Sequence, residues 1–354
     1  MQFDLNVLTG TEKRIFALRS LYSRYGYRPY RMRKFEEYDL YGRNLAFLNS
    51  DRVITFTDTN GRLMALKPDV TLSIVKNIED RPTEVQRLYY DENVYRVSDR
   101  TNAFKEIMQM GLECIGAANN ESVTEVLDLA EQSLALISEG HDYVLKVSDL
   151  DIVTLLIDEM TEDIPDGRRL KAELLRLAGE KNLHGIEAIC GEYEIRPADY
   201  SPLTGLLRLY GPPEEVFPQL EEVCRGTAAE AETRELIAVV SALAKSGDIA
   251  GDDADGDEQQ DLSARELSER SIVIDFSLTN NTSYYNGIAF EGYIDGVPEC
   301  VLVGGRYDML MRRMKKRSRA IGFAVYLDNL ARLKMKVGDE AIDHFYRKVA
   351  TAER

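Results

Sequence analysis

Between residues 9 and 25 the apolar positions recur every three to four residues. Ile15, Leu18, Leu21 and Tyr22 share one predicted helical face, Thr9 or Thr11 can cap its start, and Gly26 can end it in the left-handed conformation. Tyr27 to Arg31 reads as a short strand. Val53 to Lys67 alternates around Asn60-Gly61 and predicts a β-hairpin with a two-residue type I′ turn, which needs positive φ at both central positions. Pro68 ends the hairpin, and Asp69 places an acid in the first turn of a helix that follows.

Residues 85–97 and 104–116 alternate with period two and predict two strands joined by the polar loop 98–102. In the second strand Glu106, Met108, Met110 and Leu112 fall on one side, and Ile107, Gln109, Gly111 and Glu113 on the other. Simple core packing does not call for Gln109 and Glu113 on a strand face. The pattern then gives a helix over 121–139, a strand over 143–148 and a helix over 151–160. Residues 167–246 read mostly as helices, among them Arg168 to Glu180 and Ala229 to Lys245. Strands return at Ile272 to Ser277, Gly287 to Tyr293 and Glu299 to Val303. Gly304-Gly305 is expected to turn the chain into a helix over Arg306 to Arg313, and a last strand and helix start at Ala320.

Antiparallel strands with helices, a helical insertion and a resumed sheet make an α+β fold. The expected organisation is a core in two parts, 1–165 and 263–330, around a mostly helical insertion with an acidic loop, 166–262. A tail, 331–354, falls short of the ~50 residues of a separate domain.

Composition narrows the function. With 44% hydrophobic residues in 354, a sizeable core can form. No run approaches the ~18 apolar residues of a membrane span. The start, Met1 to Asn6, lacks the basic and apolar regions of a signal peptide, so a cytoplasmic protein is expected. Forty-four basic residues against sixty-one acidic give a net charge of −17, which argues against a nucleic-acid partner. The basic run from Arg312 to Arg319 is expected to be a solvated turn. Cys114, Cys190, Cys224 and Cys300 form no metal-ligand spacing and are expected to be buried thiols; no metal or cofactor is expected. Residues 247–261 hold seven acids and no base. Fitting Gly256 to the glycine of an EF-hand puts Gly251 at the first ligand position and Leu262 where the closing Glu belongs, so a surface loop is expected instead.

Four segments, in order, resemble the class II aminoacyl-tRNA synthetase core of the histidyl type. They are Leu66-Lys67-Pro68-Asp69-Val70-Thr71; Tyr95-Arg96-Val97-Ser98 with Met108-Gln109-Met110-Gly111-Leu112-Glu113; Tyr284-Tyr285-Asn286-Gly287-Ile288-Ala289-Phe290-Glu291; and Gly304-Gly305-Arg306-Tyr307-Asp308 with Ala320-Ile321-Gly322-Phe323-Ala324. The resemblance implies an antiparallel sheet flanked by helices, with a helical insertion.

The departures bear on function. Asn280 stands where the synthetase has the arginine that assists attack on the ATP α-phosphate, and Asn329 where the motif 3 arginine binds ATP phosphates. The motif 2 glutamate falls on Ser98, and of the main phosphate-handling arginines only Arg96 remains. A neutral amide cannot replace a guanidinium fork beside developing phosphate charge. The 24 residues after Leu330 are too few for the anticodon-binding domain that follows motif 3 in the synthetase, so none is expected in this sequence. This combination is similar to the regulatory subunits of the short-form ATP phosphoribosyltransferase, which serves the first step of histidine biosynthesis. The resemblance implies a separate catalytic subunit as partner, histidine as feedback effector, self-association at least as a dimer through the region of Tyr27 to Tyr41, and no catalytic residues in this chain.

The same resemblance supplies a candidate histidine site. Asp69, Gln109 and Glu113 match positions that hold the amine and backbone of histidine, and Thr71 a hydroxyl that helps there. Tyr284 and Tyr285 match the aromatic wall and hydrogen-bonding group beside the imidazole. Arg96 belongs to the candidate set. Arg306 holds either the ligand carboxylate or a structural ion pair, and Tyr307 and Phe323 are expected in the core. Two other readings stay open: a truncated histidyl-type ligase that activates an amino acid, and a homodimeric scaffold with an empty pocket.

Overall fold

The computed structural model describes residues 8–48, 52–98, 101–246, 271–278 and 284–333. The chain is α+β. Helix α1 (Gly10–Arg24) begins at a full capping box, in which Thr9 and Glu12 exchange side-chain-to-backbone hydrogen bonds. Strand β1 (Arg28–Pro29), strand β2 (Phe35–Glu37) and the short helix α2 (Tyr38–Gly42) follow. Strands β3 (Thr55–Thr57) and β4 (Leu63–Leu66) form the hairpin.

Its turn differs from the expected type I′. Only Gly61 has positive φ, at 79°, and the Asp58 carboxylate accepts from the backbone of Asn60 and Arg62, each at 2.8 Å. Asp58 N–H donates to the Arg62 carbonyl at 2.9 Å, so three residues form the loop, with a left-handed glycine last. The Asp58 carboxylate organises the turn, and Asn60 keeps its ordinary backbone.

Asp69 is the N-cap of α3 (Val70–Asn77), just outside the helix, and accepts from Leu72 N–H at 2.7 Å. Strands β5 (Val85–Val97) and β6 (Phe104–Gly116) pair antiparallel along their whole length, from Val85 opposite Gly116 to Val97 opposite Phe104. Helix α4 (Asn120–Ile137), β7 (Tyr143–Asp149) and α5 (Leu150–Thr161) come next. Helices α6 (Gly167–Gly179), α7 (Leu183–Glu192) and α8 (Pro197–Arg208) lead to β8 (Tyr210–Gly211), α9 (Pro213–Cys224) and α10 (Glu230–Ser246). After β9 (Ile272–Asp275) and β10 (Ile288–Ile294) comes β11 (Leu302–Arg306). The strand runs through Gly304 and Gly305, which do not form the expected turn, and α11 (Asp308–Arg313) starts only after Tyr307. Strand β12 (Arg319–Tyr326) and a 3₁₀ turn over Leu327–Arg332 complete the described chain.

The chain divides into two compact units. The first comprises Met1–Ala118, Gln132–Tyr143 and Gly292–Arg354, and the second Asn119–Glu131 and Val144–Glu291. In the first, β1, β5, β6, β12 and β11 lie side by side in that order. One face of these strands carries Tyr89, Leu112 and Phe323, and the Tyr22 ring of α1 meets Tyr89 and Phe323 with centroids 6.1 and 6.0 Å apart. Leu18, Leu21 and Tyr22 are buried there, as the period of α1 predicts. The basic run is mostly exposed, as expected, at Arg312, Arg313, Lys315, Arg317 and Arg319, and it is also tied to its neighbours. Arg313 donates to the Arg43 carbonyl, Lys316 to the Ile78 carbonyl, and the backbone N–H groups of Arg317 and Ser318 both donate to Asp80.

In the second unit β9 pairs parallel with β7 and antiparallel with β8. The Asp275 carboxylate, almost fully buried at the end of β9, meets Lys146 at 3.2 Å and Lys181 at 2.9 Å. Burial alone would raise this carboxyl; Lys181 and Ser277 reverse the effect and hold it below the usual range. The acidic loop 247–261 and Asn280 lie outside the described residues. Cys114, Cys190 and Cys224 are buried, and Cys300 is half-buried. Among the described residues no helix is long and apolar enough to cross a membrane.

Candidate functional site

The polar face of β5, β6 and β12 carries most of the candidate residues. Residues opposite one another in paired strands point to the same side of a sheet. Glu113 lies opposite Gly322, Gly111 opposite Ala324, and Gln109 opposite Tyr326, while Arg96 lies opposite Lys105 on the same side. Gly305 pairs with Gly322 and continues that face into β11. The expected split of β6 into two faces therefore holds.

Glycines make the floor of this face. A Cβ on Gly322 would sit 2.0 Å from Glu113 Oε2 and 2.4 Å from the Leu112 carbonyl. A Cβ on Gly111 would sit 2.2 Å from the Phe323 carbonyl and 2.5 Å from the Tyr90 hydroxyl. Space at these points exists only because the side chains are missing, which is why glycine tolerates a strand interior here.

Glu113 is 2% exposed and is gripped by two hydroxyls. Thr71 Oγ1 donates to Oε1 at 2.7 Å, and Tyr307 OH donates to Oε2 at 2.6 Å. Burial pushes the carboxyl up to about 8; the hydroxyls of Tyr307 and Thr71 pull it back, and the Asp69 charge adds to the rise. Tyr307, expected as core, is buried but contributes its hydroxyl to the site. Burial also raises Asp69, against its helix-capping bond to Leu72 and the positive charges of Arg96 and Lys67. Two acids near each other, with few cations around them, form a region that favours an added positive charge.

Arg96 donates from Nε to the Pro68 carbonyl at 3.0 Å, and its positive charge counteracts the rise that burial gives the Tyr326 phenol. Lys67, fully buried, reaches Glu92 Oε2 at 2.9 Å. Burial lowers the Lys67 ammonium and Glu92 opposes that shift. Gln109 is 3% exposed. Asn329 Nδ2 donates to the Cys300 carbonyl at 2.8 Å. Arg306 lies opposite Ile321, on the face away from Glu113, and lends positive charge to the buried Asp308, which favours the structural ion pair over a ligand contact.

Thus Asp69, Thr71, Arg96, Gln109 and Glu113 all belong to the first unit. Tyr284 and Tyr285 belong to the second, where their rings meet edge to face with centroids 4.7 Å apart. Sequence reasoning missed Lys67 and Tyr326. A lysine inside a hairpin and a tyrosine ending a strand carry no local signal of their partners. The second unit also has a cavity of about 540 Å³ over Leu156, Met160 and Ile195, with Glu159, Asp163 and Asp199 at its rim. Asp199 is already engaged with Arg196, at 2.8 Å.

Comparison with known proteins bears on the family and the fold. The family model described as histidyl-tRNA synthetase matches residues 10–330. An ATP phosphoribosyltransferase regulatory subunit from Oceanobacillus iheyensis is 25% identical over 320 residues, 90% of this chain and 72% of the relative. The crystal structure of an ATP phosphoribosyltransferase regulatory subunit/histidyl-tRNA synthetase from Bacillus halodurans C superposes with a TM-score of 0.73 at 23% identity, over 100% of this chain and 89% of that one. A chain in the ATP phosphoribosyl transferase complex from Thermotoga maritima superposes with a TM-score of 0.63 at 18% identity, over 92% of this chain and 98% of that one. The fold is therefore that of a class II synthetase core, and with nearly its whole described length matched, the chain belongs to the histidyl-tRNA synthetase family.

Proposed function

We propose that this chain is a non-catalytic regulatory subunit of a short-form ATP phosphoribosyltransferase, that it assembles with a separate catalytic subunit, and that histidine bound in the first unit at Asp69, Thr71, Arg96, Gln109 and Glu113 mediates feedback inhibition. The observation that carries it is the buried Glu113–Thr71–Tyr307 cluster beside Asp69, on a sheet face floored by glycine. A free amino acid brings an ammonium, which such acids accept, and a carboxylate, which Arg96 can meet. The likeness to the Oceanobacillus regulatory subunit supports the assignment, and the likeness to a chain of the Thermotoga complex supports the partner.

Catalysis by this chain itself is disfavoured at the motif 3 arginine position, where the neutral amide of Asn329 donates to the Cys300 carbonyl. The chain works in the cytoplasm, as a dimer or part of a larger assembly. Feedback requires only that histidine bind two states of the complex unequally.

The test is co-purification with a short-form catalytic subunit, followed by activity with and without histidine, and calorimetry of histidine binding. Complex formation with histidine-dependent loss of activity is expected. No complex, or no histidine binding with the catalytic subunit present, overturns the reading. Histidine-dependent ATP–pyrophosphate exchange by the isolated chain would instead make it an amino-acid-activating ligase.

A further inference from the structure

The cavity of the second unit is lined by none of the residues of the proposed amino-acid site. At about 540 Å³ it has room for a small molecule. Helices α5 and α8 pack against each other and supply two of its walls. Leu156 and Met160 from α5 and Ile195 from the link between α7 and α8 make a buried apolar floor. A concave apolar surface of this kind favours an apolar occupant, because both surfaces then leave water.

The rim carries one sign of charge. Glu159, Asp163, Glu194 and Asp199 bring four carboxylates, and Arg196 is the one cation of the lining. Arg196 is already committed, since its Nε and an Nη each donate to Asp199 at 2.8 Å. Glu159 accepts from a neutral donor, the backbone N–H of Ala228, at 3.0 Å. Glu194 follows α7 in the left-handed conformation, with φ of 57°, where glycine is the ordinary residue. The Ile195 N–H then donates to the Cys190 carbonyl at 2.9 Å. This turn returns Ile195 to the floor and leaves Glu194 exposed at the mouth. Such a mouth repels an anion and attracts a cation.

We propose that this cavity binds a small amphipathic organic cation, an amine that carries an apolar ring or chain. The apolar body covers Leu156, Met160 and Ile195, and the ammonium meets Asp163 and Glu194 at the rim. A zwitterionic amino acid suits it poorly, because its carboxylate faces the same acids. The site stands apart from the amino-acid reading of the first unit and does not depend on it.

The test is calorimetry of the full chain with tryptamine, and with indole-3-acetate as a probe that keeps the ring and reverses the charge. Tryptamine should bind saturably and more weakly as salt is added, and indole-3-acetate should bind at least about tenfold more weakly. Asp163→Asn and Glu194→Gly should each weaken tryptamine by about two- to fivefold, the worth of one exposed ion pair. Glu194→Gly should keep the melting temperature near that of wild type or raise it, since glycine takes the left-handed conformation readily. Its lost affinity then cannot come from misfolding. Ala198→Trp, which fills the cavity from the exposed start of α8, should abolish binding. The proposal is overturned if wild type shows no saturable tryptamine binding, or if indole-3-acetate binds as tightly. It is equally overturned if Asp163→Asn combined with Glu194→Gly, or a folded Ala198→Trp, leaves tryptamine affinity unchanged. Should Ala198→Trp fail to fold, the carboxylate variants decide.

Discussion

Tyr307 and Glu113 are 194 residues apart in the chain, and their oxygens lie 2.6 Å apart. The Tyr307 hydroxyl donates to a carboxyl that burial has raised to about 8, so the pair sits where a proton is gained or lost near neutrality.

The sign of the resulting pH dependence follows by linkage. Glu113 holds its proton in the folded chain up to about 8, against 4.5 when unfolded. The folded state binds more protons in that interval, so the stability from this group is complete below 4.5 and is lost as pH rises through about 8. Thermal melts of wild type and Glu113→Gln across that range check it. The melting temperature of wild type should fall relative to the variant as pH rises; parallel curves would refute the shift.

Gly322→Ala should destabilise the chain by about 1–3 kcal/mol, because its Cβ would press on Glu113 Oε2 and on the Leu112 carbonyl. A urea titration reads the loss. Gly10→Ala, with open space around its Cβ, is the control and should stay within about 0.5 kcal/mol of wild type.

Lys67 and Glu92 form a pair whose ammonium is fully buried and whose carboxylate is partly exposed. Glu92→Leu alone strands that charge and should cost about 3 kcal/mol. Lys67→Met combined with Glu92→Leu should recover most of the loss, as a buried ion pair replaced by apolar groups often does. Denaturation midpoints of the two single variants and the double variant give the coupling.

Asp275 is served by two lysines, Lys146 and Lys181, so either can cover for the other. Each single change to Met should cost less than about 1 kcal/mol, both lysines being partly exposed. The double change leaves the buried carboxylate without an ammonium and should cost clearly more than the sum. Additive effects in denaturant titrations would exclude the shared role.

Much of the local structure was legible because it follows local rules. Strands β5 and β6 came from uninterrupted alternation across a polar loop, and the side of β6 that carries Gln109 and Glu113 came from the same period. The failures were of two kinds. Gly304-Gly305 reads as a turn by propensity, yet pairing of β11 with β12 overrides it, opposite Phe323 and Gly322. Asn60-Gly61 is a turn, but Asp58 chooses its type through a side chain that a dipeptide rule does not consider. Tyr307 on Glu113 and Lys67 on Glu92 join residues distant in the chain, and no spacing announces them. Asp69, Thr71 and Arg96 came into view through motif resemblance alone.

The glycines beneath Glu113 leave this family member little freedom to reshape that face from below. Backbone atoms offer no side chain to exchange, and any substitution there collides before it can recognise anything. Under the proposed amino-acid reading, divergence toward a different ligand proceeds through the side chains that border this face, with the glycine positions kept.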